Sequence, residues 1–100
     1  MTIEQEHSNG RTEFHVNGIA SWDGFERICR FFSEHLNAEF LSKNDGPDAR
    51  VWKMKLDNEI LVVVHDDMVG NFFFAERQEG NSVAVKIAHE LSERIRLANE

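Results

Sequence analysis

The residues of this chain best suited to chemistry lie together in one stretch, Val62-Val63-Val64-His65-Asp66-Asp67-Met68-Val69-Gly70-Asn71-Phe72-Phe73-Phe74. An imidazole followed by two carboxylates is a donor set for a divalent metal or for general acid/base work. With Glu76 or Glu79 it would suit a small metal-assisted hydrolase or ligand-binding enzyme. Such chemistry needs its groups to converge. An extended backbone sends His65 and Asp67 to one side and Asp66 to the other, and Asp and Gly are also what a tight turn selects. The expectation is a hairpin tip, with His65, Asp66 and Asp67 kept as the alternative metal-binding set.

The other reactive residues add little. His35 and His89 fall on separate helical segments, His7 is near the N-terminus and His15 takes an outward position on a strand. No H-x-x-x-H or C-x-x-C spacing occurs. Cys29, the single cysteine, lies on an apolar helical stripe and reads as a buried, inert thiol. No serine has a G-x-S-x-G context and no Gly-rich phosphate loop is present, so neither a catalytic residue nor a cofactor is assigned.

The elements that position these residues follow from periodicity. Residues 1–11 hold one aliphatic side chain besides Met1 and read as a mobile tail, leaving 12–100 as a single domain. Thr12 to Gly18 alternates as a short strand, with Phe14 and Val16 inward. From Trp22 the period becomes 3.6, with Phe25, Ile28, Cys29, Phe32 and Leu36 on one stripe; Ser21 and Asp23 compete as N-cap and the helix runs to about Asn37. Glu39 to Lys43 suits a strand, and Asn44-Asp45-Gly46-Pro47-Asp48 a turn. Strands are expected over Arg50 to Leu56, Glu59 to Asp66 and Asn71 to Arg77. Ser82 opens a second helix with Ala84, Ile87, Ala88, Leu91, Ile95 and Ala98 on one stripe.

The order β-α-β-β-β-β-α, with short connectors, predicts an α+β two-layer sandwich. Its sheet is mainly antiparallel, of four to five strands, with both helices on one face.

Hairpin geometry then sorts the side chains. A two-residue loop at Asp57-Asn58 opposes Leu56 to Glu59, Met54 to Leu61 and Trp52 to Val63. A loop centred on Met68-Val69 opposes Val63 to Phe74 and His65 to Phe72. Trp52, Met54, Leu56, Leu61, Val63, Phe72 and Phe74 become the core face under the helices. The opposite face would carry Val51, Lys53, Lys55, Ile60, Val62, Val64, Phe73, Ala75 and Arg77. That is an apolar surface no helix covers, of the kind that marks an interaction site.

Composition limits the partners. A formal charge of −7 argues against nucleic acid, whose phosphates require clustered Lys and Arg. The longest apolar run, Ile60 to Val64, is too short to span a bilayer. With an acidic N-terminus and one cysteine, the expected location is the cytoplasm. The expected function is that of a non-enzymatic binding or regulatory module that dimerises or holds a protein partner through its apolar sheet face.

Overall fold

The protein is described by a computed structural model covering residues 2–8 and 10–98. Six strands form one antiparallel sheet: β1 (Thr2–Ser8), β2 (Arg11–Asn17), β3 (Glu39–Asp45), β4 (Ala49–Leu56), β5 (Glu59–Asp66) and β6 (Gly70–Ala75), in spatial order β1-β2-β6-β5-β4-β3. Helix α1 (Trp22–His35) follows β2, and a short 3-10 turn (Gln78–Gly80) leads into helix α2 (Asn81–Ala98). The α+β class and the single antiparallel sheet agree with the sequence pattern, but the sheet has six strands rather than four or five.

The additional strand comes from the segment expected to be a tail. Thr2–Ser8 pairs along its length with β2, from Thr2 opposite Asn17 to Ser8 opposite Arg11. Backbone hydrogen bonds along the neighbouring edge supply what the side chains lack, and Ile3, the segment's one aliphatic residue, packs partly against the core.

Ser21 wins the competition to cap α1: its Oγ accepts from the Gly24 amide at 3.0 Å. The helix ends where Asn37 turns to φ 59° and the Ala38 amide reaches back to the Phe32 carbonyl at 3.0 Å. Phe25, Ile28, Cys29 and Phe32 of α1 and Ala84, Ile87, Ala88 and Leu91 of α2 join one core with Phe14, Val16, Trp52, Met54, Leu56, Leu61 and Val63. Both helices therefore lie on the same side of the sheet.

The β4–β5 hairpin has the expected register, with Leu56 opposite Glu59 and Trp52 opposite Val63. Asp57 (φ 50°) and Asn58 (φ 64°) form its two-residue loop in the left-handed region that a type I′ turn needs. The β5–β6 hairpin is slipped by one from the expected register: Val63 opposes Phe73, Leu61 opposes Ala75 and His65 opposes Asn71.

The turn is the cause. Asp66 pairs with Gly70, so the loop has three residues, Asp67-Met68-Val69. The Val69 amide closes on the Asp66 carbonyl at 3.2 Å, a hydrogen-bonded four-residue turn, and Gly70 takes φ 104°, which glycine adopts without steric cost. One residue of slip exchanges the faces of a strand. Phe73 and Ala75, expected outside, are core residues at 0% and 2% exposure, while Phe72 and Phe74 take their places on the open face. Arg77, of the same parity as Phe73 and Ala75, leaves that face and pairs with Glu59 at 2.9 Å.

Candidate binding face and the polar cluster under the first helix

The face turned away from the helices can be read across the register row by row. One row runs Glu6, Glu13, Phe74, Val62, Lys53, Ser42, and the next Glu4, His15, Phe72, Val64, Val51, Asn44. Ile60 and Lys55, opposed to each other, follow at the far end. Of the residues expected on this face, Val51, Lys53, Lys55, Ile60, Val62 and Val64 are there. The middle strands β5 and β6 give it an apolar centre in which Phe72 and Phe74 stack with centroids 6.3 Å apart. Val62, at the middle, is only 6% exposed because these neighbours crowd it.

The flank on β1 and β2 is polar and ordered by its own contacts. His15 stacks on Phe72 with centroids 4.7 Å apart, and its Nε2 lies 3.0 Å from both Glu6 Oε2 and Glu13 Oε1. Arg11 donates to Glu13 Oε2 at 2.5 Å and lies 3.9 Å over the Phe74 ring. Burial of Glu13 favours its neutral form, yet the hydrogen bonds from Arg11 and His15 outweigh it and hold the carboxyl below its ordinary range.

Glu6, Glu13 and His15 are the one set among the described residues whose donor atoms gather as metal ligands would. Arg11 already neutralises Glu13, and the cluster carries no metal assignment. Glu6 comes from a segment whose composition predicts a tail, so the sequence alone does not gather the set. On the opposite flank Lys53 donates to Glu76 at 2.6 Å and Lys55 faces Glu39 across the strands.

The His65-Asp66-Asp67 stretch is divided between two tasks. Asp66 Oδ1 accepts from the amides of Met68 (2.8 Å) and Val69 (3.1 Å), tying the hairpin tip. His65, 1% exposed, lies on the helix side of the sheet, where its Nε2 meets Asp67 Oδ1 at 3.0 Å and its Nδ1 meets Asn71 Oδ1 at 2.8 Å. Asn71 in turn donates through Nδ2 to the carbonyls of Ile19 (2.8 Å) and Ser21 (3.2 Å), which fixes which end of its amide faces the ring. His65 and Asp67 are brought together but Asp66 is turned to the hairpin tip, and Glu76 is engaged by Lys53 on the other face. His65 thus serves to lock the start of α1 to the sheet.

Arg50 completes this cluster and was not anticipated. Only 5% exposed, it sits 4.6 Å from the Trp22 ring, 5.1 Å from Phe25 and 4.6 Å from Trp52. Its nitrogens donate to Asp45 Oδ1 (2.9 Å) and Glu26 Oε1 (3.0 Å), and Trp52 Nε1 donates to the same Asp45 oxygen at 2.8 Å. The hydrogen bonds from Arg50, then Trp52, hold the Asp45 carboxyl below its ordinary range. The signal was strand parity: Arg50 alternates in phase with Trp52, Met54 and Leu56. The aromatic cage is filled by the protein's own cation, so it offers no ligand site.

Elsewhere, burial pushes the Cys29 thiol up to about 12, which agrees with the inert reading. His35 contacts Arg94 at 3.0 Å and is not paired with His89. No described helix is long and apolar enough to cross a membrane. Compared with protein-family models, curated proteins and solved structures, the chain matches none.

Proposed function

We propose that this chain is a non-enzymatic binding or regulatory module that dimerises or holds a protein partner through the open face of its sheet. One observation carries the reading: Val51, Ile60, Val62, Val64, Phe72 and Phe74 form a contiguous apolar block on the side that neither helix covers. Such blocks on soluble domains mark interaction surfaces, and charged flanks around an apolar centre match the anatomy of an interface.

The test is Val62→Lys. In the free protein the new ammonium can reach water along the face, whereas in a closed interface it is buried without a partner. Association measured by light scattering should be lost while far-UV circular dichroism is retained. Unchanged association would refute the role of this face.

A further inference from the structure

The sheet ends on one side in β3, which pairs only with β4 and is exposed at every residue. Its ladder shows which backbone groups are open. The Gly46 amide donates to the Ala49 carbonyl at 2.7 Å, and in an antiparallel pair bonded and non-bonded positions alternate. Asn44 therefore bonds inward to Val51, while the amides and carbonyls of Lys43 and Asp45 point away from the sheet. The register shift between Phe40 and Ser42 ends this regular run, so Ser42 to Asp45 is the stretch open to a further strand.

Beside this edge, on the helix side, runs a groove of about 310 Å³ whose walls include Arg30 and Ser33 of α1 and Phe40, Lys43 and Trp52 of the sheet. Lys43 Nζ lies 4.3 Å from the Phe40 ring centre and 4.4 Å from that of Trp52. Among the described residues neither Lys43 nor Arg30 has a carboxylate within ion-pair distance. Glu26, the acid on the groove wall, and Asp45, at the end of β3, both accept from Arg50. Arg11, Lys53 and Arg77 show the contrast, each holding a carboxylate of its own. Two cations without one, in a single groove, complement an anion.

We propose that β3 takes up an extended segment of a partner protein as a seventh strand, antiparallel like the rest of the sheet, with a Glu or Asp side chain opposite Lys43. In this mode main-chain hydrogen bonds supply affinity and the groove selects the side chain. The partner residue opposite Lys43 projects to the helix side, its Cβ about 5 Å from that of Lys43, so its carboxylate enters the groove with Lys43 and Arg30. Opposite Asp45, two positions along, a second acid is disfavoured. This edge is separate from the open face, and its occupancy does not depend on the function proposed above.

The probe is the capped peptide acetyl-Thr-Val-Glu-Val-Thr-amide, titrated to about 5 mM into the 15N-labelled native chain and followed by amide chemical shifts. Saturable shifts at Ser42 to Asp45 are expected, with a Kd of about 1 mM or below. Lys43→Glu, with its fold checked by circular dichroism, should weaken binding roughly tenfold, and the peptide bearing lysine in place of glutamate should regain it. N-methylation of the peptide glutamate removes the N–H that would face the Lys43 carbonyl and should abolish binding. N-methylation of either valine, whose N–H faces water, should leave it intact.

That set of results supports the inference. Binding indifferent to N-methylation of the glutamate overturns the strand pairing, and binding indifferent to Lys43→Glu overturns the role of the groove. Shifts confined to another part of the chain, or none up to about 5 mM, overturn the site itself.

Discussion

The two faces of β6 can be told apart by deleting neighbouring rings. Phe73 is wholly enclosed, stacked on Phe14 at 5.4 Å and edge-on to Phe32 at 5.2 Å. Phe73→Ala therefore loses the transfer free energy of the ring and leaves a cavity between β2, β6 and α1, about 4 kcal/mol in all. Phe74, one residue on, is half-buried and covered on one side by the Arg11 guanidinium, so Phe74→Ala should cost about 1 kcal/mol.

Urea unfolding followed by tryptophan fluorescence resolves the two. With an m of about 1.5 kcal/mol/M, the midpoint should fall by about 2.7 M for Phe73→Ala and by less than about 1 M for Phe74→Ala. The measurement belongs at the lowest workable concentration, because a dimer built on the open face would add concentration-dependent stability that Phe74→Ala also removes. If Phe73→Ala leaves too little folded protein, Phe73→Leu retains most of the volume and should still exceed the cost of Phe74→Leu. Equal costs, or a larger cost at Phe74, would show that the β5–β6 register and the face assignment are wrong.

Asn71→Ala orphans the Ile19 and Ser21 carbonyls and the His65 Nδ1; it should cost about 2–3 kcal/mol by the same unfolding assay, and a loss under about 0.5 kcal/mol would mean that the network does not anchor α1. Arg50→Met should be tolerated better than Arg50→Ala, since a flexible apolar side chain can refill the cage of Trp22, Phe25 and Trp52 while Asp45 and Glu26 remain half in water. Asp45 has a folded-state pKa below its ordinary value of 3.8, so its contribution is present above that value and is lost as the pH falls through the folded-state value. The difference in thermal midpoint between the native chain and Asp45→Asn should accordingly shrink below about pH 4, and a constant difference down to pH 2 would contradict the assignment. Cys29 should resist a soluble disulfide reagent in the native state and react fully in denaturant; rapid native labelling would show that the core opens around α1.

Where a local signal was closed on itself, sequence was enough. Asp57-Asn58 admits one economical two-residue loop, and the alternation of β4 and β5 then fixed Trp52, Met54, Leu56, Leu61 and Val63 as core. Both helices were readable from their stripes, because α1 and α2 each bury one side against the sheet. The segment before β2 was not readable. Composition reports how much apolar surface a segment can bury, but an edge strand can be held by its backbone ladder, and β1 offers little else.

The second hairpin shows why the functional face was harder to read than the fold. Val62 to Val64 and Phe72 to Phe74 are apolar without interruption, and the adjoining polar residues His65 and Asn71 are buried, so within these stretches nothing marks which side faces water and hydrophobicity cannot choose between two registers. What chose was Asp66. Its side chain gathers the Met68 and Val69 amides, shortens the loop to three residues and leaves Gly70 to absorb a positive φ. The shift decides the candidate interface at once: Phe73 and Ala75 go to the core, and Phe72 and Phe74 come out beside His15 and Arg11. The same carboxylate that suggested metal chemistry therefore acts through geometry, placing two aromatic rings at the centre of the surface on which the proposed function rests.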